Sequence, residues 1–171
     1  TFQANVTVSN GTYGNLILSR WAVGSTHRIS LKRGIRKSRG AQLIHVETPE
    51  GALHLVNTHL GLDERERHWQ IDFLLDHELF QSSSVMPTFI AGDFNDWRNT
   101  LAEQSLANHG FQQVTSPPSD YRSFPSWLPV GGLDKVFVRG EVTTERVKVV
   151  RTSLARVASD HLPIVVDFSL K

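Results

Sequence analysis

Pro87-Thr88-Phe89-Ile90-Ala91-Gly92-Asp93-Phe94-Asn95-Asp96-Trp97 is the stretch on which the reading of this chain turns. Thr88 to Ala91 have the character of a short buried strand, and Gly92 lets the backbone turn. Asp93, Asn95 and Asp96 follow, with only Phe94 between the first two. A strand that ends in carboxylate and amide groups delivers them to the rim of a sheet, where metals and phosphates are commonly held. The same residues are also good turn chemistry, because Asp and Asn bond their own backbone and tolerate the left-handed conformation. Three further junctions tip the balance toward a site. Asn57-Thr58-His59 follows a strand, Asp134 opens one, and Ser159-Asp160-His161 precedes one. Singly these are a rim histidine, a strand-edge cap and a turn ahead of Pro163; four in one short chain are poorly explained by chance.

Around that stretch the pattern predicts α/β architecture. Residues 1–14 are polar and turn-rich, with Asn10-Gly11 a tight turn. Asn15–Ser19, Ala41–Glu47 and Ala52–His59 read as strands, the last two joined at Pro49-Glu50-Gly51 and therefore antiparallel. Leu53 to Val56 alternate only weakly, as in a strand buried on both faces. A helix follows, capped by Asp63 with Glu66, with Ile71, Leu74, Leu75 and Leu79 at helical spacing and Trp69, Phe73 and Phe80 widening the stripe. Ser82-Ser83-Ser84 ends it. A second helix over Thr100–His109 has Thr100 and Glu103 as a capping box and Gly110 as its stop. Residues 115–132 carry four of the seven prolines with Tyr121, Phe124 and Trp127, a long loop that either pins itself with aromatics or meets a substrate. Leu133–Val138, Thr143–Arg151 and Ile164–Phe168 return to strand. Without an internal repeat or linker, residues 1–171 read as a single domain.

Composition narrows the chemistry. With 171 residues the chain can bury a real core, and a net charge of +1 argues against a broadly basic nucleic-acid surface. Arg28–Arg39 is a local exception, read first as a solvated hairpin or loop and second as a phosphate-binding arm, whose binding would weaken steeply with salt. The absence of cysteine excludes disulfides, thiolate zinc sites and a cysteine nucleophile. No apolar run approaches a membrane span and no signal peptide opens the chain, which points to a soluble protein with the cytoplasm the favoured compartment. The polar set suits phosphoester hydrolysis, which needs a base for water, a hard metal held by oxygens and donors around the phosphate. Histidine paired to a carboxylate supplies the base.

Four motifs, NTHL at Asn57–Leu60, GDFN at Gly92–Asn95, LDKVFV at Leu133–Val138 and SDHLP at Ser159–Pro163, together with Tyr13-Gly14-Asn15-Leu16-Ile17-Leu18-Ser19-Arg20, resemble the endonuclease/exonuclease/phosphatase superfamily in content and order. The likeness extends over members such as DNase I, exonuclease III and inositol-polyphosphate 5-phosphatases, and Tyr121–Gly140 looks most like uncharacterised bacterial members. The resemblance implies a DNase I-like sandwich of two mixed sheets flanked by helices, and hydrolysis dependent on Mg²⁺ or Mn²⁺. It makes His161 the general base or its partner, oriented by Asp134, and puts Asp93 at the nucleophile or leaving group. Asn95 and His59 would hold phosphate oxygens, Asp160 and Asp93 would lie at the metal, and Asn57 would tie its strand end to a neighbouring loop. Lys135 departs from the family's usual residue, which touches only local substrate contacts. The family's metal-ligating glutamate precedes the strand that Asn15–Arg20 resemble, whereas the first glutamate here is Glu47. The chain is therefore expected to be the C-terminal portion of a longer protein, lacking the N-terminal strand and the metal-ligand segment, with poor metal affinity alone. The expected substrate is a phosphoester from nucleic acid, a phospholipid head group or an inositol phosphate. The alternative is a non-catalytic remnant of the fold that binds a phosphorylated ligand or a protein.

Overall fold

A computed structural model describes residues 1–83 and 86–171. The strands are β1 Phe2–Val8, β2 Gly11–Leu16, β3 Val23–Ser30, β4 Gly40–Thr48, β5 Gly51–His59, β6 Thr88–Asp93, β7 Gln112–Gln113, β8 Asp134–Arg139, β9 Val142–Val149 and β10 Ile164–Leu170. The helices are α1 Glu64–Asp76, α2 Glu78–Gln81 and α3 Ser153–Ala158, with a π-helical turn at Ala102–Leu106. Six strands form a mixed sheet in the order β3-β4-β5-β6-β8-β7, in which β5 and β6 are the parallel pair and α1 is part of their crossover. β9 and β10 form an antiparallel hairpin, and so do β1 and β2.

Period-two alternation explains why the central strands are apolar throughout. On one face Val56, Ile90 and Phe137 join Ile71, Leu74, Leu75 and Phe80 from the helices in a single buried cluster. On the other face Leu53, Phe89, Val136 and Val138 pack against Val142, Val166, Phe168 and Leu170 of the β9–β10 hairpin. The result is the expected DNase I-like layering, a large sheet between helices and a smaller second sheet.

Several local expectations are revised. Residues 1–14 are largely strand, and Asn10-Gly11 is the turn of a hairpin whose polar residues reach inward. Asn15 Nδ2 donates to the Gly40 carbonyl at 2.8 Å and Gln3 Nε2 to that of Ile29 at 3.2 Å. The strand expected over Asn15–Ser19 ends at Leu16. Asp63 does cap α1, accepting from the Glu66 amide at 3.0 Å, but the helix breaks at His77, whose extended backbone and Nδ1 start α2. Leu79 remains against the core across this break. Of the serines expected to end the helix, Ser82 and Ser83 follow α2, and Ser84 lies outside the described residues. The second helix is capped by Asp96 rather than by Thr100 and Glu103. Fully buried, the Asp96 carboxylate accepts from the Leu101 amide at 3.1 Å, while Thr100 turns its hydroxyl to Asp96 and His68.

His54 of β5 is buried under Phe80, beside His45, and its Nδ1 has no partner among the described residues. Burial, reinforced by His45 and Arg139, lowers its pKa from 6.5 to about 4. A histidine held neutral in the fold costs nothing above its unfolded pKa and destabilises progressively as pH falls toward its folded one. Across that 6.5-to-4 window the loss should be about 3 kcal/mol. The urea midpoint is expected to fall over this range, and His54→Leu to flatten the fall, leaving the share due to His59, which titrates in the same window. A pH profile unchanged by the substitution would show that His54 does not carry the effect.

Candidate functional site

Sheet register assembles the site. Leu53 and Leu55, Phe89 and Ala91, and Val136 and Val138 all belong to the face that meets the β9–β10 hairpin. Counting in twos along each strand puts His59, Asp93 and Asp134 on that same face. Pairing then aligns His59 with Asp93 and Asp93 with Asp134, so three candidate side chains stand side by side at the ends of β5, β6 and β8. Gly92 makes the central close approach possible: its φ is +144°, and a Cβ there would lie 1.8 Å from the Thr58 carbonyl oxygen. Lys135 is one residue out of phase and points to the opposite face. It is buried, donating to Asn99 Oδ1 at 2.7 Å and to the Gly132 carbonyl at 3.0 Å.

His161 arrives from outside the sheet. The Leu162 amide donates to the Ser123 carbonyl at 2.9 Å and the Ser126 amide to that of Asp160 at 2.7 Å, fixing the segment against the proline-rich loop. His161 Nδ1 lies 2.7 Å from Asp134 Oδ2, an oxygen that also accepts from the Ser123 hydroxyl. With a carboxylate as partner Nδ1 carries the proton, leaving Nε2 as the basic nitrogen. Nε2 faces Asp93 Oδ2 at 3.9 Å, and the ring packs against Phe124 with centroids 4.8 Å apart. The hydrogen bond to Asp134 raises the His161 pKa above 6.5. Asp134 and His161 border a cleft of about 380 Å³ that Gly92, Lys135, Ser159 and Leu162 also line.

His59 has the opposite electrostatics. Burial first, then Arg39 and Lys37, lower its pKa to about 4, so the ring is neutral near pH 7 and its 3.5 Å approach to Asp93 Oδ2 is not an ion pair. Its Nδ1 lies 3.1 Å from the Tyr13 hydroxyl. Burial raises the Asp93 pKa, offset in part by the Asn95 amide, which donates to Oδ1 at 2.8 Å. Asn95 itself sits at φ +50°, with Nδ2 donating to the Leu60 carbonyl at 2.9 Å. Turn chemistry and site chemistry thus coexist: Oδ1 of Asp93 closes the turn while Oδ2 faces two imidazoles. Asn57 ties β5 to the end of β2 through Nδ2 and the Leu16 carbonyl, at 3.0 Å.

The junctions named from sequence therefore converge, except that Asp160 stands exposed, with its carboxylate 3.4 Å from the Ser159 hydroxyl. Among the described residues no group of three or more His, Asp, Glu or Cys is arranged to hold a metal ion. Asp93 has one oxygen committed to its turn and the other between imidazoles, and a hard dication takes about six oxygen ligands, so these residues do not complete a metal site by themselves. Tyr13, Ser123 and Arg39 are site residues that sequence patterns left unmarked. Arg39 closes the basic stretch Arg28–Arg39, but unlike Arg33 and Arg36, which meet α1 and its cap, it is buried, close enough to Asp93 to feel its charge. No sequence period singles it out from its neighbours.

The geometry has counterparts in known proteins. A model of the endonuclease/exonuclease/phosphatase family matches residues 2–161. The uncharacterized protein YbhP of Escherichia coli is 29% identical over 175 residues, covering 97% of this chain and 66% of YbhP, so the chain spans just under two thirds of that relative. An endonuclease/exonuclease/phosphatase from Beutenbergia cavernae superposes with a TM-score of 0.83 at 21% identity, over 99% of this chain and 53% of that one. A mannosyl-6-phosphatase of Bacteroides thetaiotaomicron gives 0.70 at 15% identity, over 88% of this chain and 67% of that one. With its motifs, its sheet register and a family model that spans nearly its whole length, the chain belongs to the endonuclease/exonuclease/phosphatase family.

Proposed function

We propose that the whole protein is a phosphoester hydrolase in which His161, held by Asp134, activates the attacking water. The observation that carries this is the 2.7 Å contact between His161 Nδ1 and Asp134 Oδ2, which leaves Nε2 basic and aimed into the site. In the reaction water loses a proton to Nε2 as its oxygen bonds to phosphorus. The bond from phosphorus to the leaving oxygen breaks, and the imidazolium returns the proton to that oxygen. Asp134 stabilises the imidazolium in between. Asp93 orients the water, while neutral His59 and the second Nδ2 hydrogen of Asn95 meet phosphate oxygens without adding negative charge. Arg39 behind them supplies positive potential. A phosphatase among the structural neighbours supports phosphomonoester chemistry as readily as diester chemistry.

A requirement for Mg²⁺ or Mn²⁺ belongs to the same proposal, with Asp160 and Asp93 as the carboxylates this chain offers toward the ion. When bound, such an ion would neutralise charge on the phosphoryl oxygens. The incomplete donor set favours a second reading, a domain that binds phosphorylated ligands without turnover.

Hydrolysis of bis-p-nitrophenyl phosphate with Mg²⁺ or Mn²⁺ separates the two. Turnover by the whole protein is expected, lost on adding EDTA, and His161→Ala should lower kcat by roughly 10²- to 10⁴-fold, the usual contribution of a general base. A His161→Ala variant as active as the parent would falsify the assignment, and phosphate binding without turnover would select the second reading. The pH profile gives an independent check. Because the base must be neutral, activity should rise as pH passes the elevated pKa of His161. Asp134→Asn removes the cause of that elevation and should move the acidic limb to lower pH as well as lower kcat. An acidic limb that stays in place in Asp134→Asn means another group is titrating.

A further inference from the structure

Trp127, Leu128 and Val130 in the proline-rich loop, and Leu154 and Val157 on α3, are large apolar side chains turned to solvent; Trp127 is 71% exposed, Leu154 74% and Val157 81%. Single exposed hydrophobics are ordinary, but these five come from two segments bonded to each other. The Ser126 hydroxyl donates to the Arg156 carbonyl at 3.0 Å, and Arg156 Nη1 donates to the Trp127 carbonyl at 3.1 Å. Leu154 and Val157 are three residues apart and so share a helix face, while Ala155 is buried against the body of the protein. Residues 121–132 and 151–158 contain Arg122, Arg151 and Arg156 and not one Asp or Glu; Asp120 and Asp160 flank them. Arg151 Nη2 donates to the Arg122 backbone carbonyl at 3.3 Å, which ties the start of the second segment to the loop that carries Arg122.

We propose that this face docks on an anionic lipid surface, and that the phosphoester taken by the adjacent site is a lipid head group presented there. The inference rests on the hydrolase reading for its substrate and on the exposed face for its docking. Tryptophan and aliphatic side chains lower their free energy at the boundary between head groups and acyl chains, and bordering arginines are attracted to anionic lipid. The docking face is continuous with the reacting pair. The loop that exposes Trp127 also supplies Ser123 to Asp134 and Phe124 to His161, and its Ser123 carbonyl holds the Leu162 amide. Seating the loop on a membrane therefore brings the cleft of His161 to the head-group layer.

The test is sedimentation of the protein with vesicles of phosphatidylcholine, alone or mixed with phosphatidylglycerol, with turnover measured separately on soluble bis-p-nitrophenyl phosphate and on the vesicle lipid. The wild type should bind the mixed vesicles in preference and hydrolyse head-group phosphoester in them. Trp127→Ala/Leu128→Ala should weaken binding by at least about tenfold while leaving soluble turnover unchanged. Arg122→Gln/Arg151→Gln should remove the preference for anionic lipid. A wild type that ignores both vesicles, an apolar double variant that binds like wild type, or one that instead turns a dimer into a monomer overturns the docking face. Vesicle binding with soluble but no lipid turnover overturns the substrate class. Vesicle binding with no turnover of any ester supports the docking face and overturns the hydrolase reading.

Discussion

Strand register is the constraint on which this structure depends. A sheet strand has a side-chain period of two, so the apolar residues that must be buried dictate which of its terminal residues share a face. In β5, β6 and β8 one face is buried under helices and the other is covered in part by the β9–β10 hairpin, and a slip of one residue would exchange the two sets. The same phase that hides Phe89, Val136 and Val138 delivers His59, Asp93 and Asp134 together. Packing energy in the core is thus what positions the polar groups at its edge. Lys135 shows the rule from the other side: next to Asp134 in sequence, it is buried on the opposite face.

The two histidines differ because their surroundings do. His161 lies against a carboxylate that favours its charged form, whereas His59 is desolvated beside Arg39 and Lys37 and stays neutral. Both Nε2 atoms converge on one oxygen of Asp93. A histidine biased toward its charged form and a neutral histidine on either side of a single carboxylate make the pocket asymmetric, and the proposed hydrolysis draws on that asymmetry. The proline-rich loop joins this pocket to the surface, since one segment orients Asp134, packs on His161 and exposes Trp127.

What the sequence by itself determined was local. The apolar runs, the turn at Pro49-Glu50-Gly51, the Asp63 cap and the polar residues at four strand junctions could be read directly, because each depends on neighbours in the chain, and the order of the motifs pointed to the family. Beyond reach were features that depend on distant partners. β1 alternates Phe2, Ala4, Val6 and Val8 with polar residues, but it is the polar side that is held inward, Gln3 of β1 and Asn15 of β2 bonding carbonyls of β3 and β4. The cap of the second helix went to Asp96 because burial makes a carboxylate the stronger acceptor there, and the break at His77 follows from a capping bond that periodicity does not register. Burial of Arg39, alone in a basic run, and the meeting of Tyr13 with His59 required the fold. Residue type set which chemistry was available; tertiary structure decided which groups share a face, which lose their water, and hence how the two histidines come to differ in proton affinity.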